Sequence, residues 1–188
     1  MKSAPAVEDL RIAVSGHRDL SNLDQIARWI DQALERIAQD YPGRAWIVLS
    51  ALAEGADQLV VERILLKQPA ARLQVPLPMP EAAYLKDFIK PTGRPDFQRL
   101  HALAQQTVEM PAAPTPEEAY TLLGRYLTSH SNLLIAVWDG RPARGPGGTG
   151  DIVQMARQAN LPLAWIHAQN TPSASITFER FPTSMVET

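Results

Sequence analysis

Leu133-Leu134-Ile135-Ala136-Val137-Trp138-Asp139-Gly140, then Arg141-Pro142-Ala143-Arg144 and Gly145-Pro146-Gly147-Gly148-Thr149-Gly150-Asp151, is the stretch whose reading decides the fold. Its apolar run, closed by Asp-Gly, has the continuous hydrophobicity of a strand buried on both faces of a parallel sheet. The glycine-rich loop leads into Ile152–Ala159, which has helical spacing. Five of the ten glycines in the chain lie between Gly140 and Gly150, so backbone N–H groups there can approach a ligand closely. A strand, a glycine loop and a helix N-terminus together make an anion site, because free N–H groups and the helix dipole both favour negative charge. A plain surface loop is the competing reading.

Working outward, the same strand-then-turn pattern recurs. Arg11–Gly16 is a short apolar strand followed by His17-Arg18-Asp19. Ser21 or Asn22 can cap a helix to about Gln39, with Ile26, Trp29, Ile30, Ala33, Leu34 and Ile37 along one face. Trp46–Ser50 is the second strand, Ala51–Asp57 its turn, and a second amphipathic helix runs to about Gln68. Arg72–Pro78 is a third strand with a proline-limited end. Between 78 and 118 the pattern is less regular, with short helices over 84–88 and 96–103 and a short strand at Thr107–Met110. Glu117–His130 is a further helix, and Leu161–His167 the last strand.

Alternating strands and helices predict an α/β fold, a Rossmann-like three-layer sandwich with a mainly parallel sheet and right-handed crossovers. One domain over residues 10–168 is expected, with 1–9 and 169–188 as terminal extensions, the second of them loose or covering a sheet edge.

Composition narrows the function. The 188 residues carry a net charge of −2, which gives no general nucleic-acid signature. No cysteine is present, so disulfides and thiolate metal sites are excluded and a reducing compartment fits. The first residues lack the apolar core of a signal peptide, and no 18-residue apolar run occurs. A soluble cytoplasmic domain is the expectation. His17, His101, His130 and His167 show no metal-ligand spacing, and neither a Gly-x-Gly-x-x-Gly fingerprint nor a phosphate-binding Gly-Lys-Ser/Thr loop is found. Neither a metal nor a resident cofactor is expected.

Three turns fall on one rim, the carboxyl ends of the parallel strands, where open sheets bind ligands. They contribute Gly16, His17 and Arg18; Ser50, Glu54, Gly55 and Asp57; and Asp139 with Gly147, Gly148, Thr149, Gly150 and Asp151. Arg18 suits a phosphate or carboxylate clamp, Glu54 and Asp57 can accept from sugar hydroxyls or a base amine, and Thr149 can donate to phosphate. Each has a plainer alternative: a helix entry for Gly-His-Arg, a first-turn acid for Asp57, a turn former in Asp139.

Val14–Arg18, Ser50–Asp57 and Pro146–Asp151 together resemble the motifs of the SLOG superfamily, which includes the LOG-type nucleotide phosphoribohydrolases, the DNA-processing protein A family and nucleotide-sensing domains. The resemblance runs from about residue 10 to 168 and implies a nucleotide or ADP-ribose-type ligand along the rim, phosphate on the glycine loop. It also implies a homo-oligomer, most simply a dimer, with an effector protein or fused domain to receive the signal. Two positions depart from the LOG signature. Asp151 stands at the expected threonine and Gln154 at the catalytic glutamate. Glutamine cannot ionise, so it cannot serve as base or stabilise an oxocarbenium-like transition state. Ligand binding and sensing is therefore the leading expectation. A phosphoribohydrolase using Glu54 or Asp151 is the alternative, followed by single-stranded DNA binding and a scaffold role.

Overall fold

The computed structural model describes residues 8–168 and 175–182. Seven strands form one sheet: β1 (Leu10–Gly16), β2 (Trp46–Leu49), β3 (Arg72–Leu77), β4 (Gln106–Glu109), β5 (Leu133–Trp138), β6 (Leu163–His167) and β7 (Ile176–Glu179). Their order across the sheet is β4-β3-β2-β1-β5-β6-β7, all parallel except the β6–β7 pair. The chain steps outward from β1 through β2, β3 and β4. It then returns to the other side of β1 with β5 and steps outward again. The point where that direction reverses lies between β1 and β5.

Helices cover both faces. α1 (Leu23–Asp40) packs with α2 (Ala56–Lys67) in one layer, and α4 (Gly93–His101) rests on α2. α5 (Pro116–Ser129) packs with α6 (Thr149–Gln158) in the other; the short α3 (Glu81–Tyr84) continues as a 3₁₀ turn over Leu85–Asp87. This is the Rossmann-like sandwich that the alternating pattern predicts. No described helix is long and apolar enough to cross a membrane.

The core follows from the apolar runs. All six residues of β5 are buried, as a strand covered by helices on both faces must be. On α1 the buried stripe is Ile26, Ile30, Ala33, Leu34 and Ile37, while Trp29 is half-buried at its margin. β3 shows why its proline is tolerated. Gln74 turns its carbonyl toward β2, accepting from Ser50 N–H, so Pro76 two residues on faces the same way. β2 has ended by that level, and the missing N–H leaves no ladder bond unmade.

Local details differ from the sequence reading. The residue preceding α1 is Asn22, but it sits in the left-handed region and its side chain makes no capping hydrogen bond. α6 begins at Thr149, so Thr149, Gly150 and Asp151 are its first turn and not part of the loop. The segment read as a terminal extension contains β7, whose alternating Ile176-Thr177-Phe178-Glu179 pairs antiparallel with β6 and occupies the exposed edge of that strand. Arg157 of α6 grips Glu179 through two hydrogen bonds, at 3.0 and 2.6 Å. The other parts of the two extensions, residues 1–7, 169–174 and 183–188, lie outside the described residues.

Because Ile135 is fully buried at the centre of the sheet, Ile135→Ala is expected to lower the unfolding free energy by about 2–5 kcal/mol in urea titration. Leu66→Ala, at an exposed position, is expected to stay within about 0.5 kcal/mol of wild type.

Candidate functional site

A cleft of about 1070 Å³ opens at the carboxyl ends of β1 and β5, bordered by α2, α5 and the start of α6. That is the crevice at the topological switch point, where open α/β sheets bind ligands. Of the thirteen residues singled out on the rim, nine line it: Gly16, His17 and Arg18; Asp57; Asp139; and Gly147, Gly148, Thr149 and Gly150. Ser50, Glu54, Gly55 and Asp151 do not, and each has a local reason.

Glu54 is 1% exposed, and its two carboxylate oxygens accept from the N–H groups of Ile89 and Lys90, at 3.2 and 3.0 Å. It ties down the segment entering α4 and does not face the cleft. Gly55 packs against the Arg18 carbonyl so closely that an added Cβ would lie 2.2 Å from it. Ser50 works one step behind the cleft. Its hydroxyl accepts from Leu52 N–H (3.0 Å) and donates to Asp57 Oδ2 (3.2 Å). That bond holds Leu52 at φ 56°, a strained value for a bulky residue. Gln58, a residue without a motif, steadies the same turn by donating to the carbonyls of Leu52 and Gly93.

Asp151, the other candidate carboxylate, folds back on its own loop and accepts from Gly147 N–H at 3.0 Å. The residue before the helix is Gly148, so Asp151 is third in α6 and ties the loop in the manner of a capping box, one residue further back. Gly147 needs to be glycine for two reasons. Its φ is +75°, and a Cβ would lie 2.5 Å from Tyr120 Cβ on α5. Thus the glycine loop is shaped in part by packing against α5. At the start of α6 the N–H groups of Thr149 and Gly150 have no acceptor among the described residues. Gln154 is exposed on α6 and away from the cleft. Arg125 on α5, a further contact considered for the ligand, is exposed and does not line the cleft either.

Arg18 enters the cleft from β1. Its Nη1 donates to the Asp87 carbonyl at 2.6 Å, its Nη2 lies 3.3 Å from Tyr120 Oη, and its guanidinium sits 5.9 Å from the Phe88 ring centre. Tyr120 in turn donates to Asp87 Oδ2 at 2.6 Å. The arginine is thereby oriented by α5 and the turn after α3, with donors left over for an anion. Arg141 and Arg144 add two exposed cations at the glycine-loop side.

His17 and Asp139 meet across the switch point. His17 Nε2 accepts from Asp139 N–H at 3.1 Å and lies 3.0 Å from Asp139 Oδ1. A neutral ring takes the N–H, whereas an imidazolium would turn its proton to the carboxylate. Asp139 also accepts from Arg141 N–H (3.0 Å), the bond of a turn former. Burial pushes its carboxyl up, but Arg141 N–H and His17 outweigh that and hold it below the usual range. It forms the turn and borders the cleft at once.

Asp57 is the titrating group of the site. It is 6% exposed, and burial pushes its carboxyl up to about 7 against the opposing pull of the Ser50 hydroxyl, Arg18, and the Ala53 and Gly16 N–H groups. Its ionised form is therefore held in place by four donors or charges while lacking water.

Tyr84, Asp87 and Tyr120 were not expected here. Tyr120 reads in sequence as part of an apolar helix face, and the phenol oxygen was the only hint of a second role. Asp87 lies in an irregular segment with no motif, so its position depends on tertiary packing alone.

No protein-family model matches the sequence. No curated protein matches it either. Among solved structures, the chain is similar to the X-ray structure of TM1055, a Northeast Structural Genomics Consortium target. The identity is 12%, over 82% of this chain and 72% of that one, with a TM-score of 0.48.

From about pH 4 to pH 7 the folded chain holds on Asp57 a proton that the unfolded chain has lost, so this group's contribution to stability falls as pH rises through that window. Asp57→Asn removes the titration. The melting temperature of Asp57→Asn relative to wild type is expected to climb between pH 5 and pH 8, by the equivalent of a few kcal/mol, in order of magnitude. A difference that does not change with pH would mean that Asp57 ionises in the ordinary carboxylate range.

Proposed function

We propose that this chain is a SLOG-type domain that binds a nucleotide or ADP-ribose-type ligand and acts as a sensor. The observation that carries the reading is the coincidence, in one switch-point cleft, of two kinds of anion-binding group. The N–H groups of Thr149 and Gly150, without acceptors among the described residues, stand at the start of α6, and the oriented guanidinium of Arg18, in the turn after β1, lines the same cleft. A phosphate would sit at the α6 N-terminus, where the dipole and free donors favour it. Arg18, Arg141 and Arg144 supply the balancing charge, and Asp57 and Asp139 face the uncharged part of the ligand. The cleft, at about 1070 Å³, lies just above the usual range for small-molecule sites, which suits a nucleotide or a larger derivative.

Sensing is favoured over N-glycosidic hydrolysis because the carboxylates nominated for catalysis are engaged elsewhere. Glu54 and Asp151 accept from backbone N–H groups, and Gln154 is exposed outside the cleft. A sensor of this kind would pass its state to a second copy or an effector.

Ligand that binds only the folded state raises the melting temperature by mass action, by about 2.7 kcal/mol of stability at a hundred times Kd. The purified chain is expected to be stabilised by AMP or ADP-ribose, and Arg18→Ala to lose most of the shift. Chromatography of the AMP incubation should return AMP and no adenine. A chain unmoved by AMP, ADP-ribose, NAD and cyclic nucleotides at millimolar concentration would overturn the nucleotide reading. Release of adenine and ribose phosphate would replace the sensor with a hydrolase.

A further inference from the structure

Tyr84 borders the cleft with its side chain fully buried, and its hydroxyl has no hydrogen-bond partner among the described residues. Buried hydroxyls are almost always paired, because leaving one unpaired forfeits its bonds to water without replacement. Pairing is withheld here in a polar neighbourhood. Asp57, Tyr120, Arg18 and Asp87 are all near enough to act electrostatically on the phenol, and burial raises its pKa well above the ordinary value, so it remains a neutral O–H. Phe88 and Phe97 pack edge-to-face with the ring, at centroid distances of 5.1 and 6.1 Å, and Tyr120 tilts against it at 6.3 Å. No ring face is open for a base to stack on. The oxygen is as enclosed as the ring in the unliganded chain, and it is the one polar atom of the side chain left without a partner among the described residues.

Its location fixes what could reach it. Tyr120 links the two ends of the cleft: its Cβ lies against Gly147 of the glycine loop, and its ring lies against Tyr84. Tyr84 is therefore one aromatic side chain away from the loop that leads into α6.

We infer that the Tyr84 hydroxyl is a specificity-determining contact, pairing with a sugar hydroxyl of a ligand whose phosphate lies at the start of α6. The inference rests on the nucleotide reading above. A ribose is attached directly to its phosphate and so falls within this short span. A hydroxyl also both donates and accepts, and so can answer both capacities of the unpartnered phenol. An acceptor-only or apolar group would satisfy half of that arrangement or none.

The test is calorimetric titration of the full chain and of Tyr84→Phe with AMP and with 2′,3′-dideoxy-AMP, alongside melting curves without ligand. Tyr84→Phe is expected to melt at or above the wild-type temperature, since it loses only an unpaired hydroxyl. It should bind AMP about five- to tenfold more weakly, the scale of one hydrogen bond. Wild type should prefer AMP to the dideoxy compound by a similar factor, and the variant should bind the two alike. A Tyr84→Phe chain that binds AMP as wild type does, or that keeps the full preference for AMP, overturns the inference and leaves the nucleotide reading standing. A clearly lower melting temperature in the variant would show that the hydroxyl is already paired within the folded chain, and overturns it too. Wild type that binds neither compound, with ADP-ribose, NAD and cyclic nucleotides also inert, removes the nucleotide reading and this contact with it.

Discussion

Parallel pairing of β1 with β5 is the constraint on which the rest of this molecule depends. The register sets Ile12 beside Leu133 and Gly16 beside Val137, so both strands end at one level in the middle of the sheet. His17 N–H continues the ladder to the Val137 carbonyl, which places the His17 ring within reach of Asp139. The neighbouring connections leave in opposite directions from these two strands, and a crevice opens between them. Gly16 allows the third wall. An added Cβ there would stand 2.4 Å from Ala56 Cβ, so only glycine lets the start of α2 close over the end of β1. That approach brings Asp57 under the Gly16 N–H and into the cleft.

The carboxylates of the rim divide according to what is available to solvate them. Glu54 and Asp151 accept from backbone N–H groups and stabilise turns, as buried or half-buried acids must when water is excluded. Asp139 is compensated by a backbone N–H and by His17. Asp57 has donors too, but its burial outweighs them and lifts its carboxyl to about 7, whereas Asp139 is held below the usual range. Perturbed groups concentrate where chemistry or binding happens, and in this chain the perturbed carboxyl, the unpaired phenol and the oriented arginine share one cleft.

Two adjoining segments of the irregular region between 78 and 118 act together. The turn after α3 supplies Asp87 to orient Arg18 and Tyr120, and the region entering α4 is anchored by Glu54 and by Lys90 Nζ, which donates to the Arg18 carbonyl. The strap built in this way fastens β1's turn to an element more than sixty residues later. Its cohesion is a network of backbone and side-chain hydrogen bonds, each modest alone and reinforcing as a set.

The sequence by itself determined the strands, the main helices, their alternation and the rim on which the three turns meet. These follow from hydrophobic period and from glycine and proline, which act over a few residues. Ile135 and its neighbours could only be a buried strand, and Gly16, Gly147 and the start of α6 were visible as places of close approach. Tertiary structure alone decided which polar groups face the cleft. A carboxylate's role depends on whether backbone donors from distant segments reach it, as Ile89 and Lys90 reach Glu54, and no local pattern encodes that distance. Tyr84 and Tyr120 likewise read as aromatics packed on the core, and they are, except for their oxygens: that of Tyr120 donates to Asp87, brought in by the fold, and that of Tyr84 has no partner among the described residues. Local pattern fixes an element because its physics is short-range. The chemistry of the cleft belongs to contacts across the sheet, which exist only once β1 and β5 lie side by side.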